Sequence, residues 1–343
     1  MNTQTLDLKS RWEMLLKEQP KLRIRNASQE LGVSEMELLA TRLGDDVVLL
    51  KPLFAEILED VKSLGKVMAL TRNDACVHER KGVYLNPDFS SPHAGLFVGE
   101  DIDLRIFLAH WKTAFAVDEG AKKSLQFFGK DGTAIHKIYL TKDSDEMAFE
   151  TLVQKFITPE QHTTIAAETL HKKPEETSDT EIDVEEFQKT WTGLKDTHHF
   201  FGMLRKYGVS RTQALRLAPD KYYASKIDNS KVVTLLEESV ATGLPIMIFT
   251  GNHGNIQIHT GSINRTLWHG SWFNVMDPDF NLHLDTAQID QTWIVRKPTE
   301  EGVVTAVEVF DASGEIIVQF FGKRKPGIPE LEAWRELVAG LEA

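Results

Sequence analysis

The chain has 343 residues, 41% of them hydrophobic and 26% charged, which is an ordinary balance for a globular protein with a large core. Its formal net charge of −12 argues against a surface for nucleic acid or anionic membrane, because both partners are polyanions. The single cysteine, Cys76, excludes an internal disulfide and suits a reducing compartment. With no secretion signal or bilayer-spanning apolar stretch recognisable, we expect a cytoplasmic protein that is not membrane-embedded.

Two stretches of the chain open a helix in the same way. Ser34 is followed three residues later by Glu37, and Ser210 by Gln213. A serine with an acid or amide at this spacing forms a capping box at a helix N-terminus. A glycine two residues before each serine is a natural stop for the preceding helix. These matching starts predict two copies of one unit.

The elements that follow have one order in both copies: an amphipathic helix, a β-branched strand, further strands, a hairpin and a closing helix. In the first copy we predict them at 52–64, 67–71, 103–108, 126–132 and 147–156. In the second copy the counterparts lie at 231–242, 246–250, 280–284, 309–314 and 330–341.

Helices followed by antiparallel strands and one more helix are typical of the α+β class, with helices packed on one side of a large sheet. We predict a tandem structural duplication, with an N-terminal repeat over 1–168, a polar and charged linker over 169–186 and a C-terminal repeat over 187–343. The duplication either only doubles a sheet or encloses a crevice between two sheets, and domain interfaces favour ligand pockets.

One histidine stands out, in the stretch Trp191–Tyr207. On a single helix, Trp191, Leu194, His198 and Phe201 would share a face, because they are three, four and three residues apart. A histidine in such an apolar stripe either makes a hydrogen bond in the core or offers a ring nitrogen to a flat, apolar ligand that carries a metal. Helix geometry alone favours the first.

Three strands place cations beside apolar or aromatic residues. Alternation puts Arg105 and Phe107 on one face of the strand at 103–108. On strand pattern alone, an arginine that pairs with Asp103 in solvent and lysines that extend into water explain these cations. The residues at issue on the two later strands are Lys297, and then Gln319, Phe321 and Arg324.

Rival chemistries find little support. The sequence has no HExxH, paired CxxC, GxSxG, Walker A or GxGxxG motif. Cys76 and His78 share a strand face, but two ligands do not make a zinc site. A nucleophile pair of these two residues is sterically disfavoured.

Several longer segments are distinctive: NDACVHERKG at 73–82, DLRIFLAHW at 103–111, SLQFF at 124–128, FIT at 156–158, residues 196–211, TWIVRKPT at 292–299 and QFFGKR at 319–324. Together they resemble a known family, the bacterial cytoplasmic haem-utilisation and haem-degrading proteins of the HemS/ChuS type. The resemblance runs over nearly the whole chain and implies a pair of stacked, large antiparallel sheets with flanking helices.

The resemblance implies haem b, iron protoporphyrin IX, as the ligand. His198 corresponds to the family's axial iron ligand and Arg105 to the arginine over the opposite haem face. Phe107 and Gln319 correspond to pocket-lining residues. His199 stands where relatives often have glutamine, and it is a second imidazole near the iron. His78 is a weaker candidate for a second haem site.

The resemblance also assigns the charged edge of the pocket. Arg211, Lys297 and Arg324 correspond to residues near the haem propionates, and we expect partly solvated pairs at the pocket mouth. Phe321 departs from the family, which commonly has tyrosine there, so a phenolic hydrogen bond is absent. Local positive charge at these residues is compatible with the acidic chain, because only the pocket needs it.

Two roles have been assigned in this family. In the first, the protein accepts imported haem and opens its ring with dioxygen and a reductant to release iron, as a haem oxygenase-like oxidoreductase with Arg105 as catalytic residue. In the alternative, it carries haem to another protein without changing it. No flavin or nicotinamide site is recognisable, so electrons would come from elsewhere. Expected partners are an electron donor, a haem-receiving protein and the inner-membrane haem importer.

Overall fold

The computed structural model describes residues 7–161, 163–169, 176–324 and 328–342. The described residues form two nine-stranded antiparallel sheets with helices packed on them, so the predicted α+β class with two large antiparallel sheets is confirmed. Part of the predicted linker, residues 170–175, lies outside the described ranges. None of the helices in these ranges is long and apolar enough to cross a membrane.

The first sheet takes most of its strands from the N-terminal half of the sequence. In spatial order its strands are β1 (Val47–Leu50), β7 (Trp111–Asp118), β8 (Lys123–Gly129), β9 (Ala134–Ser144), β2 (Gly65–Arg72), β3 (Cys76–Gly82), β15 (Phe280–Asp285), β14 (Trp272–Met276) and β13 (Thr266–His269).

The second sheet takes most of its strands from the C-terminal half. In spatial order they are β10 (Ala224–Ile227), β16 (Gln291–Thr299), β17 (Gly302–Phe310), β18 (Ile316–Gly322), β11 (Ile246–Asn252), β12 (Asn255–Gly261), β6 (Asp103–Ile106), β5 (Gly95–Val98) and β4 (Pro87–Asp88).

The helices divide between the two halves of the sequence. Those of the N-terminal half are α1 (Leu8–Glu18), α2 (Ile24–Leu31), α3 (Glu35–Ala40), α4 (Phe54–Asp60) and α5 (Glu146–Phe156). Those of the C-terminal half are α6 (Val184–Thr192), α7 (His199–Tyr207), α8 (Arg211–Arg216), α9 (Lys231–Thr242) and α10 (Glu332–Glu342).

The chain forms two compact units. The first holds the described residues of 1–72, 79–171 and 252–256, and the second holds those of 73–78, 172–251 and 257–343. Two short segments, 73–78 and 252–256, therefore belong to the unit formed mainly by the other half of the chain. The sequence boundaries of the two repeats stay a prediction.

The first unit has its main core between one face of its strands and the helices α4 and α5. On α5, Phe149, Leu152, Val153 and Phe156 are buried, at the spacing that puts residues on one helix face. Both capping boxes exist as predicted, at Ser34 for α3 and at the corresponding serine for α8. The predicted helix over 52–64 is shorter, because α4 ends at Asp60 and a 3-10 turn follows.

The second unit packs helices on both faces of its strands, so the prediction of helices on only one side of the sheet is wrong for this unit. Helices α9 and α10 cover one face, where Val307 and Val309 of β17 lie. Helices α6, α7 and α8 cover the other face, where Val295 and Phe310 lie. Strand β17 is consequently buried on both sides, so a charged residue on it must find a partner inside the protein.

Candidate functional site

A loop precedes His198, so the predicted single helix over Trp191–Tyr207 is wrong. Helix α6 ends at Thr192, and α7 begins one residue after His198. Gly193 forms the cap of α6 and its N–H donates to the Lys189 carbonyl. Asp196 then accepts a hydrogen bond from the His198 N–H at 2.8 Å. A glycine followed by a side chain that bonds the backbone two residues on favours a turn over a continued helix.

The break separates the residues that the helical pattern had placed together. Trp191 and Leu194 are buried, whereas Phe201 is 63% exposed. The His198 side chain is 90% exposed. The interpretation of His198 as a hydrogen-bonded core histidine is therefore wrong.

The ring of His198 is held from one side. Its Nδ1 lies 2.7 Å from Oδ1 of Asp196. The hydrogen bonds from the His198 backbone and side chain lower the pKa of this carboxyl. A carboxylate on Nδ1 favours the tautomer with its proton there and leaves the Nε2 lone pair available to a metal. Asp196 thus fixes the orientation of the ring and leaves Nε2 without a contact to this carboxylate.

Phe200, two residues after His198, anchors α7 to the core. It is buried and meets the Trp191 ring edge-on, at 4.8 Å between centroids and 76° between planes. The Trp191 indole N–H in turn donates to the Arg296 carbonyl on β16 at 3.1 Å. The first turn of α7 is thus tied through two aromatic rings to the sheet.

Behind Phe200 lies a buried carboxylate, Glu308 on β17, which the sequence reasoning missed. Arg211 donates to it through Nε at 2.7 Å and through Nη2 at 2.6 Å. Lys297 donates to it through Nζ at 2.8 Å. Its signal in the sequence is a lone acid within the apolar strand TAVEVF, 305–310.

Both cations also lie over the Phe200 ring. The Arg211 guanidinium carbon is 5.3 Å from the ring centroid, and the Lys297 ammonium is 4.5 Å from it. Cations in these positions are attracted by the negative face of the ring. Arg211, Lys297, Glu308 and Phe200 form one cluster, called the Glu308 cluster below.

The charges in the Glu308 cluster are strongly perturbed. Burial, together with the repulsion of Arg211, lowers the pKa of Lys297 to about 8 against the attraction of Glu308. Burial works against the charge of Glu308, but Arg211 and Lys297 outweigh it and bring the pKa of this carboxyl well below its usual range. Lys297 is only 5% exposed, so the expectation of a lysine extending into water at a pocket mouth is wrong.

Gln319 and Phe321 continue the same face of the sheet on β18. Gln319 lies opposite Glu308 on one side and opposite Phe249 of β11 on the other. The rings of Phe321 and Phe249 are 4.9 Å apart and inclined at 59°. These side chains are half-buried and add an aromatic surface, of which Phe249 was not anticipated.

Arg324 lies just past the end of β18. Its Nη2 is 3.8 Å from a carboxylate oxygen of Glu301, which is longer than a good hydrogen bond. Arg211 is held on the Glu308 cluster, with a side chain 21% exposed. Of the three predicted propionate residues, the structure joins Arg211 to Lys297 and places Arg324 on a separate, looser pair.

Arg105 and Phe107 belong to the first compact unit. Arg105 donates to the Asp103 carboxylate and to the Leu104 carbonyl, so the expected pairing with Asp103 is confirmed. Strand β6 ends at Ile106, and Phe107 leads into a 3-10 turn with its N–H bonded to the Gly254 carbonyl at 3.0 Å. Strand alternation therefore does not extend to Phe107.

The environment of Asp103 is partly dry. Burial raises the pKa of this carboxyl, against the opposing effect of Arg105.

The weaker candidate His78 is fully buried, with its ring edge-on to Phe280 at 5.0 Å. Full burial of this ring argues against the second haem site, which stays an untested prediction.

Comparison with known proteins identifies the family. The family model described as the haemin-degrading HemS.ChuX domain matches residues 32–156 and 208–341. The chain belongs to this family. A curated relative, the hemin transport protein HmuS of Yersinia pestis, is 38% identical over 329 residues, which cover 94% of each protein.

Solved structures of this family have the same fold. PhuS of Pseudomonas aeruginosa, described as a heme-binding protein and known in apo and holo forms, superposes with a TM-score of 0.95 at 46% identity, over 98% of each chain. ChuS, described as an E. coli heme oxygenase, superposes with a TM-score of 0.88 at 32% identity, over 98% of this chain and 99% of ChuS. The HemS family thus includes proteins named for transport, for binding and for degradation of haem.

Proposed function

We propose that this protein accepts imported haem in the cytoplasm and opens its ring with dioxygen and electrons from a separate donor, releasing iron. The observation that carries the proposal is the exposed imidazole of His198, with Nδ1 held by Asp196 at 2.7 Å and Nε2 left for iron. Phe201, three residues further along the chain, is also exposed and supplies apolar surface for the macrocycle. Membership of a haem-binding family supports this ligand.

Arg211, Lys297 and Arg324 supply positive charge for the two haem carboxylates, since cations pair strongly with carboxylates. Gln319 and Phe321 line the ring. Phe107 is a further proposed ring-lining residue. In the ring-opening reaction, Arg105 is the proposed catalytic residue, because a fixed guanidinium stabilises negative charge that develops on oxygen.

Binding is tested by titrating the purified protein with haem while following the Soret band. We expect about one haem per chain and an imidazole-ligated spectrum. His198→Ala should lose most of the affinity or change the spectrum to that of another ligand. His199→Ala is the matched control, one residue away, and should bind as wild type does. If His198→Ala binds haem normally and His199→Ala does not, the iron ligand is His199 and the assignment to His198 is wrong.

Degradation is tested by adding a reductant in air to haem-loaded protein, with catalase present because peroxide alone bleaches haem. We expect loss of the Soret band and a ring-opened product identified by mass spectrometry. If wild type gives no such product with several reductants, the enzyme proposal fails. A carrier that hands unaltered haem to another protein is then the better account, and the names of PhuS and HmuS favour that alternative.

The role of Arg105 is tested in the same assay. Arg105→Ala should hold haem nearly as well as wild type, because the macrocycle and the His198 bond dominate affinity. It should degrade haem on the order of a hundredfold more slowly, as is common when one such donor is lost. Arg80→Ala removes another arginine paired with an aspartate, Asp101, in the same unit and should degrade haem at the wild-type rate. Equal rates for Arg105→Ala and wild type would exclude Arg105 from the reaction.

A further inference from the structure

Glu308 has no part in the proposed chemistry, yet it is the centre of the Glu308 cluster. Its side chain is fully buried, and a buried carboxylate is costly unless it is paired and hydrogen-bonded. Oε1 accepts from both Arg211 Nη2 and Lys297 Nζ, and Oε2 accepts from Arg211 Nε. The carboxylate is therefore satisfied entirely by two cations assigned to the ligand site.

The bonds to Arg211 fix the orientation of its guanidinium. A two-point contact through Nε and Nη2 defines both the plane and the rotation of the group. The Phe200 ring lies below it. Nη1 is the guanidinium nitrogen that Glu308 does not engage, and Arg211 keeps 21% of its side chain exposed. The outer edge of Arg211, at Nη1, is thus not occupied by Glu308.

Lys297 occupies a different place in the cluster. It is buried, with its ammonium on Glu308 and over the Phe200 ring. From this place it acts on Glu308 and Phe200 rather than on solvent. One carboxylate between two cations leaves one positive charge in excess. Arg211 is the more exposed of the two cations, so this charge is accessible there.

We propose that Glu308 is a positioning residue: it orients Arg211 over Phe200 so that the outer guanidinium edge receives a carboxylate of haem, while Lys297 supports Glu308 from behind. This inference rests on the proposed haem-binding function. In this arrangement Arg211 presents its outer edge to the ligand, and Lys297 helps to hold the carboxylate that orients Arg211.

The test compares two ligands, haem and haem esterified at both carboxylates, on the full-length protein. Wild type should bind haem more tightly than the diester by roughly tenfold or more, because the diester cannot accept charge-assisted hydrogen bonds as a carboxylate does. Glu308→Gln is close in shape but cannot hold Arg211 by charge. It should reduce this preference roughly fivefold or more. A general loss of protein stability would weaken the binding of haem and of the diester equally and leave the ratio of the two affinities unchanged.

The matched control is Glu342→Gln. Glu342 also holds an arginine at two points, Arg296, at 2.9 and 3.0 Å in the same unit. The preference of the Glu342→Gln variant for haem over the diester should stay within twofold of the wild-type value. If Glu308→Gln does not fold, Glu308→Asp, which keeps the charge but is one methylene shorter, is judged by the same ratio.

Each outcome decides the inference. A reduced preference in the Glu308 variant, with an unchanged control, supports the positioning role. An unchanged preference overturns it, and an increased preference would mean that Glu308 competes with haem for Arg211 instead. A wild-type protein that binds neither ligand refutes the proposed function itself, and the positioning role with it. If wild type prefers haem over the diester and Glu308→Gln has the same preference, the positioning role fails while the proposed function stands.

Discussion

Both compact units bury an ion pair at the first turn of a short capped helix, but the charges are placed in opposite order. In the first unit, Glu35 at the start of α3 meets Lys137 on β9. In the second, Arg211 at the start of α8 meets Glu308 on β17. Each helix residue directly follows the capping serine. The helix thus supplies the acid in one unit and the base in the other.

The two buried lysines show what this difference does. Burial opposes the charge of Lys137, but the attraction of Glu35 and Tyr139 outweighs it and raises the pKa of Lys137. Lys297 shares its carboxylate with Arg211, so burial prevails and the pKa falls to about 8. In the first unit, the one positive and the one negative charge of the pair balance. The second unit keeps a cation in excess, at a cost in stability that is typical of functional sites.

Breaking the Glu35–Lys137 ion pair of the first unit should have the strongest effect. Lys137→Met leaves Glu35 buried without its partner and should lower the free energy of unfolding by about 3–5 kcal/mol. Chemical denaturation measures this. Haem affinity should stay within twofold of wild type, because neither Glu35 nor Lys137 is a proposed haem-binding residue.

Its control is the double variant Glu35→Gln with Lys137→Met, which removes both charges and should recover much of the lost stability. A folded Lys137→Met protein with tenfold weaker haem binding would contradict the view that this pair is only structural.

A smaller effect distinguishes the two lysines by pH. Lys137, with its raised pKa, stabilises the fold below its ordinary pKa of 10.5, and this contribution is lost as the pH rises through the folded value. Lys297 costs stability below about pH 8, and the cost is relieved between about 8 and 10.5. The charged groups that act on them are Glu35, Tyr139 and Arg72 for the first and Glu308 and Arg211 for the second.

Thermal unfolding from pH 7 to 11 gives the measurement. The stability of wild type relative to Lys297→Met should rise between pH 8 and 10.5. The stability of wild type relative to Lys137→Met should not rise there and should fall above that window. Parallel curves for the two comparisons would remove the contrast between the units.

The smallest effect is expected at Arg324. Its contact with Glu301 spans 3.8 Å on a partly exposed surface, where such pairs contribute about 0–1 kcal/mol. Arg324→Ala should weaken haem binding only modestly and leave the Soret position unchanged, as measured by titration. Lys195→Ala, which breaks a comparable 3.9 Å pair with Glu300, should leave haem binding unaltered. Loss of the imidazole-ligated spectrum in Arg324→Ala would contradict its placement away from the iron.

Features that depend on near neighbours in the chain could be predicted from the sequence. The capping boxes at Ser34 and Ser210, the hairpins after 126 and 309, and helix α9 lie where they were predicted. Their hydrogen bonds join residues a few positions apart, so a short window of sequence contains all the partners. The family could also be recognised, because its motifs extend over nearly the whole chain.

The environment of the candidate site depends on tertiary packing and could not be predicted from the sequence. The spacing of Trp191 and His198 matches one helix, but Gly193 and the Asp196 side chain turn the chain between them and bring the imidazole into solvent. Lys297 looks like a strand-end lysine, and its burial depends on Glu308 and Phe200, which approach it from elsewhere in the chain. The partners of a buried charge are set by which strands and helices pack together, and this information is absent from any local pattern of residues.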